Sequence, residues 1–115
     1  MKIKKFLAMF ALVIVLSASA TIPTYAGFKC IHGNESNRCF AEITQDGVGY
    51  TISAKITWQL KGEDTVAHGS LVSSEGYSAK SRSKWLYGKE GKSFGYYYVN
   101  GTKIHESTAW MKFDF

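Results

Sequence analysis

The sequence predicts an all-β protein: a small antiparallel β-sandwich or barrel of about six strands, following a cleaved signal peptide. Three observations carry this expectation. Val48, Tyr50, Ile52, Ala54, Ile56 and Trp58 alternate with Gly49, Thr51, Ser53, Lys55 and Thr57, a period of two that marks a strand with one buried and one wet face. Turn-forming residues punctuate the chain, among them Asp46-Gly47 and Asn100-Gly101, whose tolerance of positive φ suits two-residue hairpins. After residue 26 no stretch spaces its apolar residues by three and four between capping residues, as an amphipathic helix requires.

The first 26 residues read as an export signal. Lys2, Lys4 and Lys5 make a positive head, and Phe6–Leu16 is an apolar run of 11 residues. Pro23 then precedes Thr24-Tyr25-Ala26, with small residues where signal peptidase needs them. The apolar run is well short of the roughly 20 residues of a membrane span. Cleavage after Ala26 is therefore expected, leaving a secreted domain, Gly27–Phe115, with no transmembrane segment.

That subtraction changes the charge argument. Of 115 residues, 14 are Lys or Arg and nine are Asp or Glu, a net charge of +5. Three of the basic residues and none of the acidic ones lie in residues 1–26, so the domain itself carries only +2. A nucleic-acid reading based on bulk charge therefore loses most of its support. A domain this small buries only about 60–65% of its unfolded surface and gains much from a covalent staple. Cys30 and Cys39, in an oxidising compartment, are expected to form a disulfide pinning a loop over residues 27–37. Such a bridge adds roughly 2–3 kcal/mol in the chain-entropy model. Cys30-Ile31-His32 lacks the ligand spacing of a zinc site, so no metal or other cofactor is expected.

The strands follow from the turns. Besides Asp46-Gly47 and Asn100-Gly101, turns are expected at Lys61-Gly62-Glu63-Asp64, Ser74-Glu75-Gly76 and Gly88-Lys89-Glu90-Gly91. The intervening strands are 38–45, 48–59, 65–73, 77–87, 93–99 and 102–113, arranged as a meander.

Catalytic patterns are absent. Gly91-Lys92-Ser93 lacks the leading glycine of a phosphate loop, since Leu86 stands there. Ser81 and Lys84 have a Ser-x-x-Lys spacing, but on a strand they point to opposite faces. His32, His68 and His105 belong to no metalloprotease or hydrolase signature. The expectation is a protein that is not an enzyme.

Binding chemistry is better represented. Lys80, Arg82 and Lys84 alternate with Ala79, Ser81, Ser83 and Trp85, which places three cations on one strand face, with Lys55 on an adjoining one. Such a stripe suits an anionic cell-wall polymer or lipid headgroups. In Tyr96-Tyr97-Tyr98 the alternation forbids all three rings from sharing a side; Tyr97 is taken as an exposed contact beside the stripe.

Trp85-Leu86-Tyr87-Gly88, Tyr96-Tyr97-Tyr98 and Lys103-Ile104-His105-Glu106-Ser107-Thr108-Ala109 together resemble the lactococcin 972 type of secreted bacteriocin. The resemblance covers about 25 residues of the C-terminal third. In that family the pattern lies near the mature N-terminus, whereas here it ends the chain, and the cysteine pair is not part of it. The resemblance implies a β-sandwich acting on the envelope of Gram-positive bacteria, and adds His105 to the candidate binding residues. The sequence-level expectation is thus a secreted, non-enzymatic, bacteriocin-like antimicrobial protein of the cell envelope. The alternative is a secreted module that binds another protein as an inhibitor, immunity-type or matrix component.

Overall fold

The computed structural model describes residues 19–25, 27–47 and 49–114. Among them are nine strands: β1 (Ser19–Tyr25), β2 (Phe28–Glu35), β3 (Arg38–Gln45), β4 (Ile52–Leu60), β5 (Ala67–His68), β6 (Val72–Ser74), β7 (Ser78–Arg82), β8 (Lys89–Val99) and β9 (Thr102–Phe113). They form two antiparallel sheets, ordered β1-β2-β3-β7 and β5-β4-β8-β9, with β6 also pairing β4. The sheets pack face to face and do not close, which makes the fold a sandwich rather than a barrel. The chain is not a simple meander. It changes sheet between β3 and β4, between β6 and β7, and between β7 and β8.

The period of two settles which side of each strand is dry. On β4, Ile52, Ala54, Ile56 and Trp58 are buried in the inter-sheet core, the face that the alternation marks. Facing them across the gap are Phe28 and Cys30 of β2, Cys39, Ala41 and Ile43 of β3, and Ala79 of β7. Tyr97, Ala109, Met111 and Phe113 extend the same core from β8 and β9. Val48 and Phe115 lie outside the described residues.

Two hairpins are set by left-handed residues. At Asn100-Gly101 both φ values are positive, 51° and 83°, and Val99 pairs directly with Thr102. This is the tight turn that the dipeptide specifies. Ser36-Asn37, with φ of 51° and 62°, does the same between β2 and β3, where Glu35 pairs with Arg38.

The second hairpin overturns two expectations. Residues 28–35 are a full strand rather than a pinned loop. The register it imposes pairs Cys30 with Ile43 and Cys39 with Asn34, four residues apart along the ladder. That offset is about 13 Å at the usual strand rise, whereas a disulfide needs Cα atoms within about 7 Å. Cys30 and Cys39 are both free and buried. The staple expected from their spacing is therefore absent, and the two thiols act as small core residues.

β1 lies inside the segment expected to be removed as an export signal, and it pairs with β2 from Ser19–Gly33 to Tyr25–Phe28. The rest of that segment, 1–18 and 26, is outside the described residues. Cleavage after Ala26 would take β1 away and leave β2 as the sheet edge.

Candidate functional site

The sequence-derived site residues do not converge. On the outer face of β7, Lys80 donates to Glu35 Oε2 at 2.8 Å, and Arg82 Nε lies 3.5 Å from the same oxygen. Lys80 also sits 4.2 Å above the Phe40 ring and stands opposite Glu42 in register. The two cations hold the Glu35 carboxyl below its ordinary range, chiefly through the Lys80 hydrogen bond. Lys84 lies beyond the end of β7 and is exposed. The stripe is thus two cations sharing one carboxylate, with the third displaced to a loop.

Tyr97 is fully buried, which corrects its expected exposure. It stands opposite Ala54 of β4, and the β4 core face therefore dictates its direction. Its neighbours Tyr96 and Tyr98 take the outer face. Tyr97 Oη donates to the Ile31 carbonyl at 3.1 Å and lies 2.9 Å from Ser107 Oγ. Ser107 Oγ is 2.8 Å from His32 Nδ1, and His32 Nε2 is 2.8 Å from Ser93 Oγ.

One arrangement of hydrogens satisfies this chain with a neutral imidazole. Tyr97 gives its only proton to Ile31, so Ser107 donates to Tyr97. Ser107 then accepts from His32 Nδ1–H, and Ser93 donates to the Nε2 lone pair. Ser93 also touches the Cys39 thiol, as does Ser83. Burial drives the His32 pKa down to about 4 and the Cys30 thiol up to about 12, and it raises the Cys39 thiol and the Tyr97 phenol. His105 is half-buried, its ring stacked on Tyr97 at 5.7 Å, and burial lowers its pKa. Ser–His pairs are chemically suggestive, but His32 and Ser93 are sealed in the core. Their geometry ties the sheets together and reaches no substrate.

Ser81 is likewise structural. It donates to the Ser70 carbonyl at 2.6 Å and accepts from the Ile56 amide at 3.1 Å, while Lys84 is out in solvent.

The surface that does gather chemistry is the outer face of the second sheet. Lys55 and Thr57 of β4, Val66, His68 of β5, Tyr96 and Tyr98 of β8, and Lys103 of β9 line an open groove of about 410 Å³. Lys55 pairs in register with Tyr96, and Tyr98 with Lys103, so cations and phenol rings alternate across the groove. Lys103 is bonded to Glu106 and lies 5.8 Å from the Tyr96 ring centroid. Lys55 has no ion pair among the described residues. On the groove floor Thr57 is buried, and its Oγ1 has no hydrogen-bond partner among them. A buried hydroxyl left without a partner is costly.

Strand parity could have found this groove. Lys55 and Thr57 fall on the wet phase of the clearest alternating pattern, and Tyr96 and Tyr98 fall on the phase opposite Tyr97. What parity lacked was the pairing of β4 with β8 and of β8 with β9, which puts these residues side by side. Among the described residues, no group of His, Cys, Asp and Glu could hold a metal ion. Comparison with protein-family models, curated proteins and solved structures finds no match.

Proposed function

We propose that the chain is an exported, non-enzymatic binding protein of the bacterial cell envelope, and that it grips an anionic wall polymer in the groove of the second sheet. The observation that carries the reading is Lys55, which has no ion pair among the described residues and lines an open groove together with Tyr96, Tyr98 and Lys103. Lysines suit phosphate or carboxylate groups as hydrated point charges. Phenol rings offer flat apolar faces and hydroxyls to the sugar or polyol units between the anions. An open groove on a sheet face accommodates a continuous polymer, which a closed pocket would not.

This reading moves the binding surface away from Lys80, Arg82 and Lys84, because Glu35 answers the first two, whereas the groove keeps Lys55 without an ion pair among the described residues beside Glu106-bound Lys103. The location rests on the export expected from residues 1–26 and on the resemblance to secreted bacteriocins, and growth arrest of bound cells is the action the resemblance adds. The test is co-sedimentation of the purified chain with isolated Gram-positive walls over a salt series, alongside growth of intact cells. Binding that weakens steeply with salt supports the reading. Absence of binding at low salt, with one stoichiometric protein captured from culture supernatant, would replace it with the protein-binding alternative.

A further inference from the structure

The end of the sandwich opposite the groove carries a different surface. The loop between β7 and β8 presents Trp85 and Tyr87 at 61% and 51% exposure, their rings stacked at 5.5 Å and 11°. Leu86, between them, is fully buried. The loop is held on both sides. Ser83 N donates to the Cys39 carbonyl at 2.8 Å, and Ser83 Oγ accepts from Cys39 N at 3.0 Å. Leu86 N donates to the Asn37 carbonyl at 2.8 Å, and Gly88 N donates to the Phe113 carbonyl. Lys89 N closes a turn onto Leu86 O at 3.0 Å, with Gly88 at φ +83°, as a type II turn requires at its third position. Two large rings are therefore kept in water by a loop that has already turned its aliphatic residue inward.

The surrounding charge is predominantly positive. Lys84 and Lys89 flank the rings, Arg38 follows the Asn37 that anchors the loop, and Lys112 precedes Phe113. None of the four has an ion pair among the described residues. The acids nearby are Asp114, Glu90, which lies 3.8 Å from Lys61 and stands opposite Lys112 in register, and Glu35, which is held by Lys80 and Arg82 and stands opposite Arg38.

We propose that this loop docks on an anionic lipid bilayer, with Trp85 and Tyr87 seated at headgroup level and Arg38, Lys84, Lys89 and Lys112 over the phosphates. Trp and Tyr favour that depth because one edge of the ring is apolar and the other forms hydrogen bonds. Inward-turned Leu86 limits the contact to the interface. A bilayer offers phosphate under every cation of the cluster, whereas a protein partner would need a matching acidic patch. The groove lies roughly 25 Å away along β8 at the usual strand rise, so this contact does not rest on it.

The test uses the full chain carrying Trp110→Phe, so that emission comes from Trp85 and buried Trp58. Residues 6–16 are apolar enough to hold the chain to vesicles by themselves, so the readout is local to Trp85 rather than bulk sedimentation. With vesicles of phosphatidylglycerol and bromine-labelled phosphatidylcholine, Trp85 emission should shift to shorter wavelength and be quenched by the lipid. Lys84→Gln and Lys89→Gln should each weaken that response about fivefold at low salt, the loss typical of one surface cation. Trp85 emission that stays unshifted and unquenched while the chain sediments with vesicles would overturn the proposal. So would a shift that follows protein concentration without lipid, which would indicate a second copy of the chain. A shift produced by soluble anionic polymer and not by vesicles would overturn it as well.

Discussion

His32 on β2 and Ser107 on β9 share a hydrogen bond of 2.8 Å across the sandwich, between residues 75 positions apart in sequence. It joins the first sheet to the last strand of the second. Tyr97 and Ser93 of β8 extend the connection on either side. The core thus carries a polar seam through its apolar layer, and burial favours the neutral form of His32 within it.

Acid should therefore weaken the fold in a defined window. The His32 pKa falls from 6.5 to about 4 on folding, because burial penalises its charged form. Between those values the unfolded chain binds a proton that the folded chain refuses. Stability from this group is full above about pH 6.5 and is lost as pH falls toward 4, by about 3 kcal/mol in all. Half-buried His105 shifts in the same direction and adds to the same slope. Urea unfolding at pH 7.5, 5.5 and 4.5 should show midpoints falling stepwise. An unchanged midpoint down to pH 4.5 would contradict a neutral buried His32.

Gly95 makes the seam possible. A Cβ at this position would lie 2.6 Å from Tyr97 Oη and 2.8 Å from Ser107 Oγ. Gly95→Ala should cost about 1–3 kcal/mol, the range for overpacking a tight interior. Gly47→Ala, where an added Cβ meets nothing within 4 Å, should stay within about 0.5 kcal/mol of the parent. Thermal melts of the two variants beside the parent chain decide it.

The thiols supply a check on the register of β2 and β3. Cys30 and Cys39 are buried, and burial raises the pKa of both. The native chain at pH 8 should resist a thiol reagent. Unfolded in urea without reductant, it should take up two labels by mass spectrometry. Uptake of none in urea would mean a bridge, and with it a different pairing of the two strands.

The legible parts of this fold were those written in local patterns. Residues 102–113 and 38–45 are strands with the expected ends because an Asn-Gly turn and an Asp-Gly bend delimit them. β4 buries the face its alternation marks. The strand expected at 65–73 is broken into two short pieces, β5 and β6, that both lie along β4, so one partner strand serves where a continuous one was expected. β2 went unrecognised because its turn, Ser36-Asn37, is a weak signal, and because Cys30 and Cys39 suggested a covalent loop. Sequence spacing cannot show ladder register, and the disulfide depended on register alone.

The site was legible only by halves. Alternation separates Tyr97 from Tyr96 and Tyr98, but which set faces the core depends on the pairing of Tyr97 with Ala54. Lys80 and Arg82 share a face as expected, yet Glu35 reaches them from the other side of β3, a contact that exists only in three dimensions. Exposed pairs of this kind contribute at most about 1 kcal/mol. Glu35→Gln should therefore shift the urea midpoint only slightly, and it should leave wall binding intact.

The most direct measurement compares two charge reversals in the wall co-sedimentation assay, Lys55→Glu in the groove and Lys80→Glu on the opposite sheet. Circular dichroism first confirms that both remain folded. The expected result is that Lys55→Glu loses binding at least tenfold at low salt, corresponding to about 1.4 kcal/mol, while Lys80→Glu binds like the parent. Loss of binding in Lys80→Glu with Lys55→Glu unaffected would contradict the groove and return the site to the β7 stripe.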